Sequence, residues 1–282
     1  RVSAILECWL SGQAAGGAVA DLLLGVANPS GKLAETVPLR LEDNSSFFNF
    51  PGDSGVVRYG EGLFIGYRGY DRAQQQVSHP FGFGLSYTTF ALSGLATAVR
   101  GSVTDGDLAV EVSLTVTNTG DVAGAEVVQV YVRDPEASVA RPVRELKAFA
   151  KVQLEPGEST QVTLDLDERS FAFWSPRLRR WAVEAGEFAV EVGTSSRDLA
   201  LVEIITVAAP SIAAPLGPDS TLQEWLADDR GRELISSVGA VSKLLQDEEM
   251  VKMIGTMPMS TLAAFNSEGF DRHALNRLVA QL

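Results

Sequence analysis

From Leu108 to Thr117 the chain alternates without a break. Leu108, Val110, Val112, Leu114 and Val116 stand between Ala109, Glu111, Ser113, Thr115 and Thr117. Successive side chains of a strand point to opposite faces, so this period of two buries one face and wets the other. The turn Asn118-Thr119-Gly120-Asp121 follows, then Val128, Val130 and Val132. Glu155-Pro156-Gly157-Glu158 is a second turn, before Val162, Leu164 and Leu166. Phe188, Val190 and Val192 repeat the spacing, and Leu199–Val207 reads as an apolar last strand. Short strands punctuated by turns predict an all-β sandwich over residues 91–207.

The flanks read differently. The apolar run Val2–Leu10 looks like a core strand, and Ser11-Gly12 breaks it. Val19, Leu22, Leu23 and Val26 then recur at helical spacing, with Gly25 near the helix end and Asn28-Pro29-Ser30-Gly31 as a turn. A return strand through Leu33–Val37 would complete a strand-helix-strand tail of an α/β layer. Residues 42–60 form a long irregular loop rich in Asn, Ser, Gly, Asp and Phe, of the kind that often carries function. Residues 208–218, with Pro210, Pro215 and Pro218, have linker composition. Residues 219–282 read as helical: Ser220 or Asp219 caps, Leu222, Trp225 and Leu226 mark one apolar face, and Leu234, Val238, Val241 and Leu245 continue it. Pro258 breaks the pattern, and Leu275, Leu278, Val279 and Leu282 form a last amphipathic helix.

Composition excludes more than it selects. A net charge of −13 disfavours nucleic acid and anionic membranes as partners. The single cysteine, Cys8, permits no internal disulfide and is expected as a small buried hydrophobe. With two histidines, His79 and His273, far from it in sequence, no zinc spacing exists. No apolar run is long enough to span a bilayer, and the N-terminus shows no signal-peptide pattern, which leans toward a cytoplasmic chain.

Three segments carry a resemblance. The first is Trp9-Leu10-Ser11-Gly12-Gln13-Ala14-Ala15-Gly16-Gly17, with Ala20-Asp21-Leu22-Leu23-Leu24-Gly25 and Asn28-Pro29-Ser30-Gly31-Lys32-Leu33. The second is Tyr59-Gly60-Glu61-Gly62-Leu63-Phe64-Ile65-Gly66-Tyr67-Arg68-Gly69-Tyr70-Asp71. The third is Pro80-Phe81-Gly82-Phe83-Gly84-Leu85-Ser86-Tyr87-Thr88-Thr89-Phe90. In this order they resemble the end of the α/β sandwich domain of family 3 glycoside hydrolases, the β-glucosidase and β-xylosidase family. Val116-Thr117-Asn118-Thr119-Gly120, Val128-Gln129-Val130-Tyr131-Val132 and Arg144-Glu145-Leu146-Lys147-Ala148-Phe149 resemble the fibronectin type III-like domain of many members. The resemblance implies an α+β multi-domain chain. It would hold part of an α/β sandwich (1–90), a fibronectin type III-like, immunoglobulin-like β-sandwich (91–207), a linker (208–218) and a small α-helical tail (219–282). One departure stands out: the family usually has an acidic residue where Ala14 follows Gln13, at a helix start that favours a carboxylate.

Retaining hydrolysis needs a carboxylate nucleophile and a carboxylic acid about 5 Å apart. The resemblance places both before residue 1, on a barrel and on the earlier sandwich, so no catalytic residue is assigned within the chain. It implies a retaining, exo-acting β-glycosidase that hydrolyses β-glycosides or oligosaccharides; no cofactor or metal is assigned to the chain. The chain would complete a pocket beside the preceding barrel domain of the same protein, and a second copy is a further candidate partner. Tyr59 and Glu61 are the candidate substrate-binding residues, since aromatic faces stack on sugar rings and carboxylates bind hydroxyls. A structural alternative pairs Arg68 with Asp71 and packs Tyr67 and Tyr70 between domains. Phe81-Gly82-Phe83-Gly84 reads as a tight junction, Asp105-Gly106-Asp107 as a hairpin turn rather than a calcium loop, and Phe171, Trp174 and Trp181 as packing residues or a carbohydrate-stacking patch. The competing function is a non-catalytic module that binds carbohydrate or protein.

Overall fold

The structure, a computed structural model, describes residues 2–212, 215–265 and 269–282. Residues up to 212 form one compact unit and those beyond it a second.

In the first unit, helix α1 (Ala15–Leu23) is followed by β1 (Val37–Pro38), α2 (Tyr67–Arg72) and β2 (Val77–His79). The sandwich strands are β3 (Phe90–Arg100), β4 (Ala109–Asn118), β5 (Gly124–Arg133), β6 (Glu145–Leu154) and β7 (Ser159–Asp167). After α3 (Glu168–Phe171) come the short hairpin β8 (Phe173–Ser175) and β9 (Arg180–Ala182), then β10 (Gly186–Ser195) and β11 (Asp198–Val207). One sheet runs β11-β10-β5-β6 and the other β3-β4-β7, with every neighbouring pair antiparallel. The alternation at 108–117 becomes β4, whose Val110, Val112, Leu114 and Val116 enter the core beside Val128, Val130, Leu166, Phe188 and Val190. The second polar turn closes as read, with Gly157 at φ 74° and Glu158 N–H donating to the Glu155 carbonyl at 3.0 Å, while at the first the Gly120 N–H donates to Asn118 Oδ1 at 3.1 Å.

Strand β5 is buried on both faces. Val128, Val130 and Val132 face the sandwich core, while Gln129 and Tyr131 are equally buried on the other side. Residues 28–88 cover that outer face. Gln129 donates to the Gly82 carbonyl at 3.1 Å, Lys32 pairs with Glu126 at 2.7 Å, and Asn28 donates to the Ala123 carbonyl at 3.0 Å. The Phe81–Gly84 turn is the junction expected. A Cβ on Gly82 would run into the Gln129 amide, and its φ of 81° already favours glycine.

Three expectations for the N-terminal region change. Val2–Leu10 forms no strand: Val2, Ile5, Trp9 and Leu10 are exposed, because no described strand offers them backbone partners. Cys8 is accordingly exposed rather than buried. The return strand shrinks to β1, two residues paired with β2, while Leu33 exchanges backbone bonds with Gly82 and Phe83. Helix α1 buries none of its residues, and Ala14 gives it no side-chain cap.

The second unit packs α4 (Leu222–Ala227), α5 (Asp229–Ser236), α6 (Gly239–Leu244), α7 (Glu248–Ile254), α8 (Met259–Ala264) and α9 (Arg272–Val279) around Leu222, Trp225, Ile235, Met259 and Leu275. The cap of α4 is Thr221, not Ser220 or Asp219. Its hydroxyl accepts from Glu224 N–H at 3.2 Å, and Glu224 reaches back to Thr221 N–H at 2.6 Å. Asp219 instead accepts from the Ser260 hydroxyl, and Leu282 stays exposed rather than joining the α9 face.

Candidate functional site

The loop between β1 and α2 folds back on that helix and leaves a hollow of about 420 Å³. Glu42, Asp43, Asn49, Glu61, Phe64 and Arg72 line it, with Phe48 beside them. Gly69 lets the loop close on α2, since a Cβ there would meet the Phe64 carbonyl oxygen. Asn49 Nδ2 donates to Glu61 Oε1 at 2.8 Å, which fixes the carboxylate in the wall. This amide holds the Glu61 carboxyl below its ordinary range, and the Arg40 guanidinium at 2.8 Å does the same for Asp43. The Arg72 guanidinium lies over the Phe64 ring at 6.0 Å.

A glycosidase acid must keep its proton near neutral pH, so its pKa is raised. Glu61 and Asp43 shift the opposite way and stay ionised. Fixed carboxylates, an amide and aromatic faces are instead suited to accepting sugar hydroxyls and stacking on pyranose faces.

Of the two residues the sequence singles out, Glu61 lines the hollow, while Tyr59 is 88% exposed and does not. Sequence reasoning misses Glu42, Asp43, Asn49, Phe64 and Arg72 as lining residues; the length and polarity of loop 42–60 flagged the region, not the side chains.

Arg68 does not pair with Asp71. It lies 3.8 Å from Glu145, whereas Asp71 accepts from Arg197 Nε at 2.9 Å and sits 3.6 Å from Arg144. Burial pushes the Asp71 carboxyl up despite these guanidiniums. Arg144 also donates to Glu191 at 2.6 Å. Tyr67 does pack at the junction, stacked on Phe81 with centroids 4.8 Å apart, and Tyr70 is buried. A second hollow of about 300 Å³, lined by Asp71, Gln74, Arg144 and Arg197, shares Gln75 with the first.

Asp105 and Asp107 spend their carboxylates on the β3–β4 turn, accepting from the Ser102 hydroxyl at 2.7 Å and the Ser102 N–H at 2.8 Å. Phe171 is core, but Trp174 and Trp181 are 49% and 42% exposed.

Residues 1–87 match the glycosyl hydrolase family 3 C-terminal domain and residues 126–196 the fibronectin type III-like domain. The exo-alpha-(1->6)-L-arabinopyranosidase of Bifidobacterium breve is 47% identical over 94% of this chain and 35% of its own length. Thermostable beta-glucosidase B of Acetivibrio thermocellus is 40% identical over 100% of this chain and 38% of its own. The crystal structure of a Bifidobacterium adolescentis GH3 beta-glucosidase superposes with a TM-score of 0.74 at 52% identity, over 81% of this chain and 33% of that one. The chain thus spans about a third of the length of the curated relatives it matches. Two family domains in the right order, at these identities, settle membership: the chain belongs to glycoside hydrolase family 3, as the stretch that carries that family's C-terminal domain and a fibronectin type III-like domain.

Proposed function

We propose that the chain works as part of a retaining, exo-acting β-glycosidase, to which it contributes a sugar-binding wall rather than the reacting groups. The observation that carries this is Glu61, held ionised by Asn49 in the wall of an open hollow within a family 3 domain. Glu61 would accept sugar hydroxyls in a subsite beyond the cleaved residue, and the exposed Tyr59 would supply a stacking face to a longer substrate. The nucleophile and the acid would come from sequence before residue 1, with this chain packed beside a catalytic barrel. The division at residues 90, 207 and 218 belongs to the same reading. It is supported by β3 starting at Phe90, β11 ending at Val207 and α4 starting at Leu222.

The test is a paired assay on aryl β-glucosides and β-xylosides. The complete open reading frame is expected to turn over at least one of them, and residues 1–282 alone none. Turnover by the isolated chain, lost on changing one of its own carboxylates, would overturn the assignment. Sugar binding by the chain with an inactive complete protein would favour a non-catalytic module.

A further inference from the structure

Hairpin β8–β9 carries a surface that the hollow does not use. Trp174 and Trp181 are cross-strand partners with ring centroids 5.5 Å apart, edge to face. Phe173 and Ala182 on the opposite side are buried and pin the hairpin, whereas neither indole joins the sandwich core. The guanidinium of Arg169 lies over the Trp181 ring and steadies it. From Arg169 to Val183 the sequence holds four arginines and no acidic residue, in a chain of net charge −13. Arg177, Arg179 and Arg180 are exposed around the turn that joins the two strands. Arg179 takes φ 51°, a left-handed conformation that glycine or asparagine adopts more cheaply.

We propose that this hairpin is a binding site for an acidic polysaccharide, a pyranose chain bearing carboxylates. Indole faces stack on the C–H faces of pyranose rings. A guanidinium fork matches a carboxylate in two parallel hydrogen bonds, and arginine is weakly hydrated enough to give up water for it. A neutral glycan would make no use of the Arg179 and Arg180 charges. A flat anionic bilayer would bring the acidic remainder of the surface within range of its own charge, while a slender chain meets only the hairpin, because charges more than about 8 Å away are screened at physiological salt. The site is separate from the hollow at Glu61, so its success or failure leaves the proposed function untouched.

The experiment is affinity electrophoresis of the 282-residue chain in native gels cast with polygalacturonate, fully methyl-esterified polygalacturonate or no polymer. Cosedimentation with phosphatidylserine/phosphatidylcholine vesicles runs in parallel. Retardation by polygalacturonate alone is expected, weakening as salt rises. The double change Arg179→Gly, Arg180→Gln should raise the apparent Kd by about 10-fold or more, and Trp174→Ala should also weaken binding. Arg179→Gly relaxes the left-handed backbone, so it should melt at or above the wild-type Tm. It keeps the test open if Trp174→Ala folds poorly. No retardation, equal retardation by the esterified polymer, retardation unchanged by Arg179→Gly, Arg180→Gln, or binding to vesicles only would each overturn the proposal.

Discussion

The Tyr67 hydroxyl accepts the backbone N–H of Leu146 at 2.9 Å, tying α2 to strand β6 across 79 positions of sequence. The same ring stacks on Phe81 and meets Tyr131 edge-on at 6.1 Å. One side chain thus joins the family 3 domain, the junction turn and the outer face of the sandwich. Burial, the first cause, pushes the phenol pKa up, so it stays a neutral hydroxyl.

Tyr67→Phe keeps the stack and removes the acceptor, leaving the Leu146 N–H without its partner. Unfolding in urea should show a loss of about 1–3 kcal/mol, the cost of an unmade buried hydrogen bond. A midpoint equal to wild type would mean the junction holds without this contact.

Asp71→Ala leaves Arg197 and Arg144 facing one another without their shared carboxylate. Breaking a buried pair costs about 3–5 kcal/mol, and the partial exposure of both arginines places this case at or below the low end. Asp71→Asn should recover part of it by accepting one hydrogen bond. Chemical denaturation of the two variants side by side measures the difference.

The Glu61 carboxyl should titrate below the ordinary 4.5, because Asn49 hydrogen-bonds its charged form. A lowered folded pKa contributes stability that is present above the unfolded value and lost as pH falls through the folded one. The destabilisation by Asn49→Ala should therefore be full above about pH 4.5 and fade as acid is added. Side-chain carboxyl NMR reads the midpoint directly. A Glu61 midpoint that Asn49→Ala leaves in place contradicts the contact.

In the complete enzyme, Glu61→Gln or Tyr59→Ala should lower kcat/KM for an oligosaccharide by about 10-fold or more, equivalent to roughly 1.4 kcal/mol of lost binding. An aryl monoglycoside should be nearly unaffected, since it does not reach the subsite. Equal losses on both substrates, or none, would mean that the loop is structural.

What the sequence determined alone is local and periodic. The alternation at 108–117 specifies a half-buried strand because a two-residue repeat has one structural solution, and β4 follows it residue by residue. The turns at Gly120 and Gly157 and the apolar face Leu222, Trp225 depend on neighbours a few residues away, so they were legible too. Tertiary structure decided everything that needs a distant partner. Val2–Leu10 has the composition of a strand and stays exposed, because a strand exists only where another backbone accepts its hydrogen bonds. Asp71 has Arg68 three positions away and binds Arg197, 126 positions away, because the fold brings that guanidinium to its buried carboxylate. Glu61 was visible as a carboxylate in a glycine-rich segment. That Asn49 holds it in a cavity wall follows only from how the loop folds back onto α2.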